Sequence, residues 1–151
     1  MSNIIIIGAG SMGTAFSFPC SDNKHSVTII GTHLENNFID EINLKRRHLT
    51  LGCDVPKKVK FLKFDKLGEE INKKVDLIAV AVSSIGIEWV SAELGKVLKS
   101  KIPILLLTKG LAINNNVYEV LAHKMGRLLK KSGIEETNIS AAGGPCLPRG
   151  L

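Results

Sequence analysis

The stretch that decides the fold is N-I-I-I-I-G-A-G-S-M-G, residues 3–13. Residues 4–7 form an apolar, β-branched run of the kind that is buried in a strand. Three glycines with G-x-G-x-x-G spacing follow, and then apolar residues at helical spacing. In this arrangement Gly8 makes a tight turn, Gly10 lets the backbone approach a pyrophosphate, and Gly13 lets the helix pack closely on the strand. The stretch predicts a dinucleotide site in which the first-turn N–H groups of the helix face the phosphates.

The composition is that of one soluble domain. The chain has 151 residues, of which 44% are hydrophobic, so residues 1–151 are expected to form a single dinucleotide-binding domain. No apolar run approaches the ~20 residues that span a bilayer, and no basic leader precedes the first strand, which predicts a cytoplasmic protein without a membrane span. Cys20, Cys53 and Cys146 lie far apart without metal-ligand spacing. Reduced thiols, and neither a disulfide framework nor a metal site, are therefore expected.

The positive charge does not indicate nucleic acid. The net charge is +6, but the basic residues are spread over many segments and cluster tightly only at Lys45-Arg46-Arg47. Aromatic residues make up 5% of the chain and no nucleic-acid motif is present. A phosphorylated small molecule is the partner that this charge fits better.

The rest of the chain alternates between strand and helix patterns. A Pro inside the first helix, Pro19, predicts a kink or an early end between residues 18 and 20. Leu34 is expected to face inward at the start of the second helix, and residues 114–116 to cap a helix that begins at Val117. Together the segments predict an α/β, doubly wound parallel sheet of the Rossmann type with helices on both faces. The expected strands are 3–7, 27–30, 59–62 (at an edge), 76–82, 104–107 and 138–142; the later helices are 34–44, 65–74, 87–99 and 117–131, with a loop at 49–58.

The end of the second strand bears on the choice of cofactor. In NAD-specific sites an acidic residue roughly 20 positions after the glycines bonds the adenosine ribose. Here Gly31 is followed by Thr32 and His33, so no carboxylate is expected to repel a 2′-phosphate. The expected cofactor is therefore NADP or NAD, with NADP permitted or favoured. Charge for a 2′-phosphate could come from His33 or from the basic cluster at 45–47. The alternative for that cluster is a solvated helix end.

Three further segments end strands at the carboxyl edge of the sheet, where ligands bind in such folds. Ser83 follows the strand at 76–82, and its hydroxyl either contacts the cofactor or caps the next helix. Lys109 follows the strand at 104–107 and is placed to reach into the cleft. The turn that contains Gly144 suits an oxyanion or a phosphate. Trp89 is interpreted as a core residue, and His25, His48 and His123 as loop or boundary residues without a ligand role.

These residues resemble the NAD(P)-dependent glycerol-3-phosphate dehydrogenases of bacterial and archaeal type. The resemblance rests on the motifs G-A-G-S-M-G-T-A at 8–15, the strand at 27–31, the loop at 46–52, Ser83, T-K-G-L at 108–111 and Gly144-Pro145. It implies an enzyme that interconverts dihydroxyacetone phosphate and sn-glycerol 3-phosphate. It implies cofactor contacts at Ser11, Met12, Thr32, Lys109 and Pro148, and substrate contacts at Lys109, Gly144 and Cys146.

The chain departs from that family in two respects. The family usually has Ser or Thr at Cys146, Ala at Pro148, an acidic residue at Gly150 and Pro at Val82. The family also has a second, helical domain that supplies the proton-transfer lysine and most contacts of a homodimer. No catalytic residue is therefore assigned within residues 1–151, and the domain alone is expected to bind cofactor without turning over substrate.

Two other readings of the sequence remain open. Another two-domain dehydrogenase, of ketopantoate or 3-hydroxyacid type, shares the glycine turn but usually lacks T-K-G-L followed by Gly-Pro. A free-standing nucleotide-sensing module would require the natural chain to end at Leu151.

Overall fold

A computed structural model describes residues 1–99 and 101–144. The strands are β1 (Asn3–Ile7), β2 (Ser26–Ile30), β3 (Arg47–His48), β4 (Cys53–Asp54), β5 (Lys60–Leu62), β6 (Leu77–Val80), β7 (Ile104–Leu106), β8 (Leu111–Asn114), β9 (Val117–Val120) and β10 (Ile139–Ala141). The helices are α1 (Ser11–Asp22), α2 (Asn36–Lys45), α3 (Leu67–Ile71), α4 (Gly86–Val97) and α5 (Leu121–Lys131), with a 3₁₀ turn at Phe64–Lys66. None of the described helices is both long and apolar enough to cross a bilayer.

Six strands form one parallel sheet in the order β10-β7-β6-β1-β2-β5. Strand β1 is central and pairs with β2 on one side and β6 on the other. The chain therefore reverses its direction of travel across the sheet at β1, which is the switch point where such sheets bind ligands. The predicted doubly wound parallel sheet is confirmed, and β5 lies at the edge, as expected.

The sheet separates two hydrophobic cores because alternate side chains of a strand point to opposite faces. Ile5 and Ile7 belong to a core that also contains buried residues of α3, α4 and α5. Ile4 and Ile6 belong to the other core, with residues of α1 and α2. Strand β1 is thus buried on both faces, as the unbroken run of isoleucines predicts for a central parallel strand.

The expected early end of the first helix is wrong. Helix α1 continues past Pro19 to Asp22. A proline inside a helix removes one backbone hydrogen bond, here the one to the carbonyl of the residue four positions earlier. The turn after it is closed because the backbone N–H and the side-chain amide of Asn23 both donate to the Pro19 carbonyl, at 3.1 and 2.8 Å.

Two expectations around the second helix are also wrong. Leu34 does not face inward but is 82% exposed. It precedes α2, in a turn closed by the hydrogen bond from the Glu35 N–H to the Thr32 carbonyl at 3.0 Å. Part of the expected loop at 49–58 belongs to a small hairpin, in which β3 pairs with β4.

The largest difference lies between residues 111 and 120. The expected helix start at Val117 is instead strand β9, which pairs with β8 in an antiparallel hairpin, and α5 begins at Leu121. Asn115 and Asn116 form the turn with φ of +50° and +61°. Two successive left-handed residues make the two-residue turn that suits a hairpin, and asparagine is among the residues that adopt it readily. In the expected helix Val117 and Val120 would form part of a buried apolar stripe, whereas in the hairpin they are 66% and 45% exposed.

Candidate dinucleotide-binding site

The turn between β1 and α1 depends on two glycines, Gly8 and Gly13, that no other residue could replace without displacing the backbone. Gly8 has φ of +108°, and a Cβ on it would lie 2.8 Å from the Ala81 carbonyl oxygen of the neighbouring strand end. A Cβ on Gly13 would lie 2.1 Å from the Gly8 carbonyl oxygen. Gly8 therefore makes the tight turn and Gly13 allows the close approach of α1, for the steric reasons that the spacing predicts.

Gly10 is different because its missing side chain leaves open space. It is the N-cap of α1, and the nearest atom that a Cβ would meet is Oε1 of Glu35, at 3.9 Å. Helix α1 has no side-chain cap among the described residues, so its first-turn N–H groups and positive dipole end face this space. Together these features form a cradle that a pyrophosphate would fit.

The cradle opens into a cleft of about 470 Å³ at the carboxyl edge of β1, β2 and β6. Of the predicted cofactor residues, Gly8, Gly10, Thr32, His33 and Ser83 line it. The other lining residues are Leu34, Glu35, Ala81, Val82, Ile85, Gly86 and Trp89. The structure therefore gathers at one place residues that are far apart in the sequence.

One wall of the cleft is aromatic. The Trp89 ring lies 4.7 Å from the His33 ring and 4.8 Å from the Phe64 ring, centroid to centroid. Trp89 was expected to be a core residue, and it does pack against the core, but it is only half-buried and its remaining surface lines the cleft. Such a wall suits the stacking of a flat ring.

Glu35 is a site residue that the sequence interpretation missed. Its Oε2 accepts hydrogen bonds from the backbone N–H of Thr32 at 2.6 Å and of Ala9 at 3.2 Å. The carboxylate thus bridges the glycine turn and the end of β2. Glu35 lies roughly 20 residues after the glycine motif, the distance at which dinucleotide sites place an acidic residue. A search that extended three residues beyond Thr32 would have found it.

His48 is buried near the same turn. It is 2% exposed, its Nδ1 accepts from the Leu51 N–H at 3.2 Å, and its ring packs edge-on against Phe38. Its Nε2 has no hydrogen-bond partner of good geometry within the described residues. Burial lowers the pKa of His48, and the nearby Ala9 backbone and Glu35 charge offset this only in part. The ring is therefore neutral at pH 7, and the expectation of a loop residue is corrected to a buried one.

The basic cluster at 45–47 is committed to the domain itself. Lys45 pairs with Glu41 at 2.6 Å. Arg46 donates to the carbonyls of Pro56 and Val59, and Arg47 to Asp54 and the Gly52 carbonyl. None of the three lines the cleft. Lys45 and Arg47 are about half exposed at the end of α2, so the cluster is a solvated helix end with local partners and does not line the cleft.

Ser11 and Met12 lie in the first turn of α1 and are half-buried. Met12 packs against the core under α1, so the part of it that remains accessible is limited. Ser83 is exposed at the mouth of the cleft. Helix α4 begins after Ile85 and has no side-chain cap within the described part of the chain, so nothing there supports the capping alternative for Ser83.

A second group of predicted residues lies beside the cleft, at the ends of β7 and β10. The Thr108 hydroxyl donates to the Val82 carbonyl at 2.6 Å, which fixes the end of β7 against the loop after β6. The Lys109 ammonium donates to the Ala142 carbonyl. Gly144 is exposed and has φ of +87°. The structure thus places Lys109 near the segment that leads to Gly144, whereas Cys146 and Pro148 lie outside the described residues.

Comparison with known proteins agrees with this geometry. Residues 3–145 match the family model described as NAD-dependent glycerol-3-phosphate dehydrogenase N-terminus. A glycerol-3-phosphate dehydrogenase [NAD(P)+] of Geobacillus kaustophilus is 32% identical over 133 residues, covering 85% of this chain and 37% of the relative. An NADP(+)-dependent glycerol-3-phosphate dehydrogenase of Archaeoglobus fulgidus is 30% identical over 146 residues, covering 97% of this chain and 42% of the relative.

Solved structures show the same fold. The glycerol-3-phosphate dehydrogenase of Coxiella burnetii superposes with a TM-score of 0.79 at 21% identity, covering 98% of this chain and 42% of that one. In each of these comparisons the chain spans less than half the length of the protein that it matches.

Proposed function

The chain belongs to the NAD-dependent glycerol-3-phosphate dehydrogenase family, and from this we propose that it is the cofactor-binding domain of an enzyme that interconverts dihydroxyacetone phosphate and sn-glycerol 3-phosphate. The observation that carries the proposal is the open cradle at Gly10 beside the cleft walled by Trp89 and His33. The family match over residues 3–145 favours this reading over the ketopantoate and 3-hydroxyacid alternatives. NAD or NADP is the cofactor that the cradle and the cleft would hold.

The proposed cofactor contacts are supported by the lining of the cleft and, for Ser11, Met12, Lys109 and Pro148, by the family resemblance. The N–H groups at the start of α1 would hold the pyrophosphate, with Ser11 and Met12 alongside it, while Thr32 and His33 would contact the adenosine side. Ser83, Lys109 and Pro148 would contact the nicotinamide side. When bound, the nicotinamide supplies the hydride or accepts it.

The substrate contacts are proposed for Lys109, Gly144 and Cys146. Lys109 is supported by its position: its ammonium lies at the carboxyl edge of β7, bonded to a carbonyl just before Gly144, where an anionic substrate could take over the contact. The proton that accompanies hydride transfer would move through a lysine elsewhere in the full-length protein. Homodimeric assembly and a cytoplasmic location are likewise proposals for the whole protein, drawn from the family resemblance.

Cofactor binding is tested by titrating the 151-residue protein with NADH and with NADPH while nicotinamide fluorescence is followed. Saturable enhancement with at least one of them is expected, because the cradle and the cleft lie wholly within the described domain. No saturable response to either nucleotide would contradict the proposal.

The reaction is tested on the full-length protein encoded by the natural gene. Nicotinamide oxidation with dihydroxyacetone phosphate, and not with ketopantoate, is expected. Turnover of ketopantoate alone would assign the chain to the alternative enzyme class. A stop codon directly after Leu151 would favour the nucleotide-sensing module.

A further inference from the structure

We propose that Glu35 is a specificity-determining residue that makes this domain prefer NAD(H) over NADP(H). The inference rests on the proposed function, since it presumes that a nicotinamide dinucleotide occupies the cleft. The names of the relatives do not decide the preference, because one carries NAD(P)+ and another NADP(+). The residues of this chain have to decide it.

The Glu35 carboxylate has a defined position in the site. It lies at the junction of the two segments that hold the adenosine half of a dinucleotide, because it accepts from the Ala9 N–H of the glycine turn and the Thr32 N–H after β2. Its other oxygen is the nearest atom to the open side of Gly10, 3.9 Å from where a Cβ would be. The carboxylate is therefore held between the cradle and the end of β2, and it faces the cleft.

The Glu35 side chain is held rigidly in that position. Glu35 is half-buried, and its own N–H donates to the Thr32 carbonyl at 3.0 Å while the Thr32 N–H donates back to its side chain at 2.6 Å. This reciprocal pair fixes the side chain over the turn at 32–35. The two backbone donors therefore hold the carboxylate in one position.

Within the described part of the chain, no lysine or arginine lines the cleft to offset the charge of the Glu35 carboxylate. The cluster at 45–47 that could have served a 2′-phosphate is bonded to Glu41, Asp54 and backbone carbonyls instead. His33 is the one histidine among the described lining residues, and its ring packs at a tilt of 51° against Trp89.

A fixed carboxylate without a lysine or arginine beside it has opposite consequences for the binding of NAD(H) and of NADP(H). A ribose hydroxyl is a hydrogen-bond donor, so the spare acceptor capacity of Glu35 can receive it. A 2′-phosphate has no such donor and brings up to two negative charges beside the carboxylate, with no cation to offset them. Like charges placed together in this way are a strong means of rejecting the wrong ligand.

The test compares dissociation constants for NADH and NADPH, measured by fluorescence titration on the 151-residue protein. Wild type is expected to bind NADH about tenfold or more tightly than NADPH, since like-charge contacts cost several kcal/mol. Glu35→Gln, which removes the charge and keeps the shape, should shrink this ratio by at least about tenfold, mainly by tightening NADPH. Glu41→Gln, in the helix that follows Glu35 and paired with Lys45, is the matched control and should leave the ratio unchanged.

A measurement on wild type alone guards against misfolding of the variant. Raising the salt concentration screens the repulsion, so the NADH-to-NADPH preference should narrow in wild type and stay constant in Glu35→Gln. Equal affinities in wild type, a preference for NADPH, or a ratio that Glu35→Gln leaves unchanged would overturn the inference while the proposed function stood. Failure of both nucleotides to bind wild type would overturn the proposed function itself.

Discussion

Two connections that follow strands at the carboxyl edge of the sheet have opposite character. The first, residues 8–13, is packed against backbone at Gly8 and Gly13 and open at Gly10, and the Glu35 carboxylate accepts a hydrogen bond from its Ala9 N–H. The second, residues 107–120, ends in the β8–β9 hairpin, one face of which is formed by four exposed apolar side chains. These are Leu111, Ile113, Tyr118 and Val120, between 45% and 77% exposed. The first connection is thus packed within this domain, whereas the hairpin after Lys109 has an apolar face that none of the described residues covers.

The first connection should be intolerant of added volume, and Gly13→Ala tests this with the largest expected effect. The new Cβ would lie 2.1 Å from a backbone oxygen that cannot move without displacing the turn. A loss of about 3 kcal/mol in the free energy of unfolding is expected from urea denaturation.

The matched control for that change is Gly126→Ala in α5, where a Cβ would meet only ordinary contacts at 3.6 and 3.7 Å. It should be neutral or stabilise by about 0.5–1 kcal/mol, because alanine costs less backbone entropy in a helix. Equal stability of the two variants would contradict the steric account of the glycine turn.

The hairpin is held to the domain by polar contacts on its inner face, which should make its attachment sensitive to pH. Arg127 of α5 donates two hydrogen bonds to the Glu119 carboxylate, at 3.1 and 2.8 Å. This bonding lowers the pKa of Glu119 below the ordinary value of 4.5. The folded state therefore binds that proton more weakly than the unfolded state does. The contribution of the pair is complete above pH 4.5 and is lost as the pH falls through the lower folded pKa.

Thermal unfolding of wild type and Glu119→Gln checks this. Wild type should be the more stable at neutral pH, and the difference should shrink as the pH falls below 4.5. Glu135→Gln is the control, because the nearest cation, Lys130, lies 3.9 Å away and both side chains are more than two-thirds exposed. A difference that persists unchanged at low pH would mean that the pair does not hold the hairpin through its charge.

The outer face of the hairpin should tolerate polar residues. A substitution there should change the free energy of unfolding less than the other variants do. Ile113 is 69% exposed. Ile113→Thr should therefore change the free energy of unfolding by less than about 0.5 kcal/mol. The fully buried Ile6 gives the contrast, since Ile6→Val should cost about 0.5–1.5 kcal/mol. A loss above about 1 kcal/mol for Ile113→Thr would show that the face is covered in solution and would remove the contrast between the two connections.

The same contrast explains what the sequence could predict. The isoleucine run and the glycine spacing of residues 4–13 have one steric solution, so the strand, the turn and the helix follow from them. Residues 117–121 are ambiguous, because Val117, Val120 and Leu121 also fit a helical stripe. The left-handed conformation of Asn115 and Asn116 decides between helix and hairpin, and that is a local backbone choice that periodicity does not register.

Glu35 shows a different limit. Its position in the chain is compatible with a role at the ribose, but its role depends on the turn at 32–35 that folds the side chain back onto Ala9 and Thr32. The pattern predicts a helix from residue 34, which would leave that side chain on an ordinary helical turn. The structure begins the helix at Asn36 instead, and the carboxylate thereby reaches the cradle.

If the cleft at Gly10 holds the dinucleotide, Gly10→Val should block NADH binding without unfolding the domain. The backbone conformation of Gly10, φ −63° and ψ −179°, is open to any residue, and the added side chain meets no atom closer than 3.9 Å from its Cβ. The variant should therefore remain folded, within about 1 kcal/mol of wild type for the change at an N-cap. Calorimetric titration with NADH should show saturable heat for wild type and none for Gly10→Val. Unchanged NADH affinity in the folded variant would contradict the placement of the dinucleotide in this cleft.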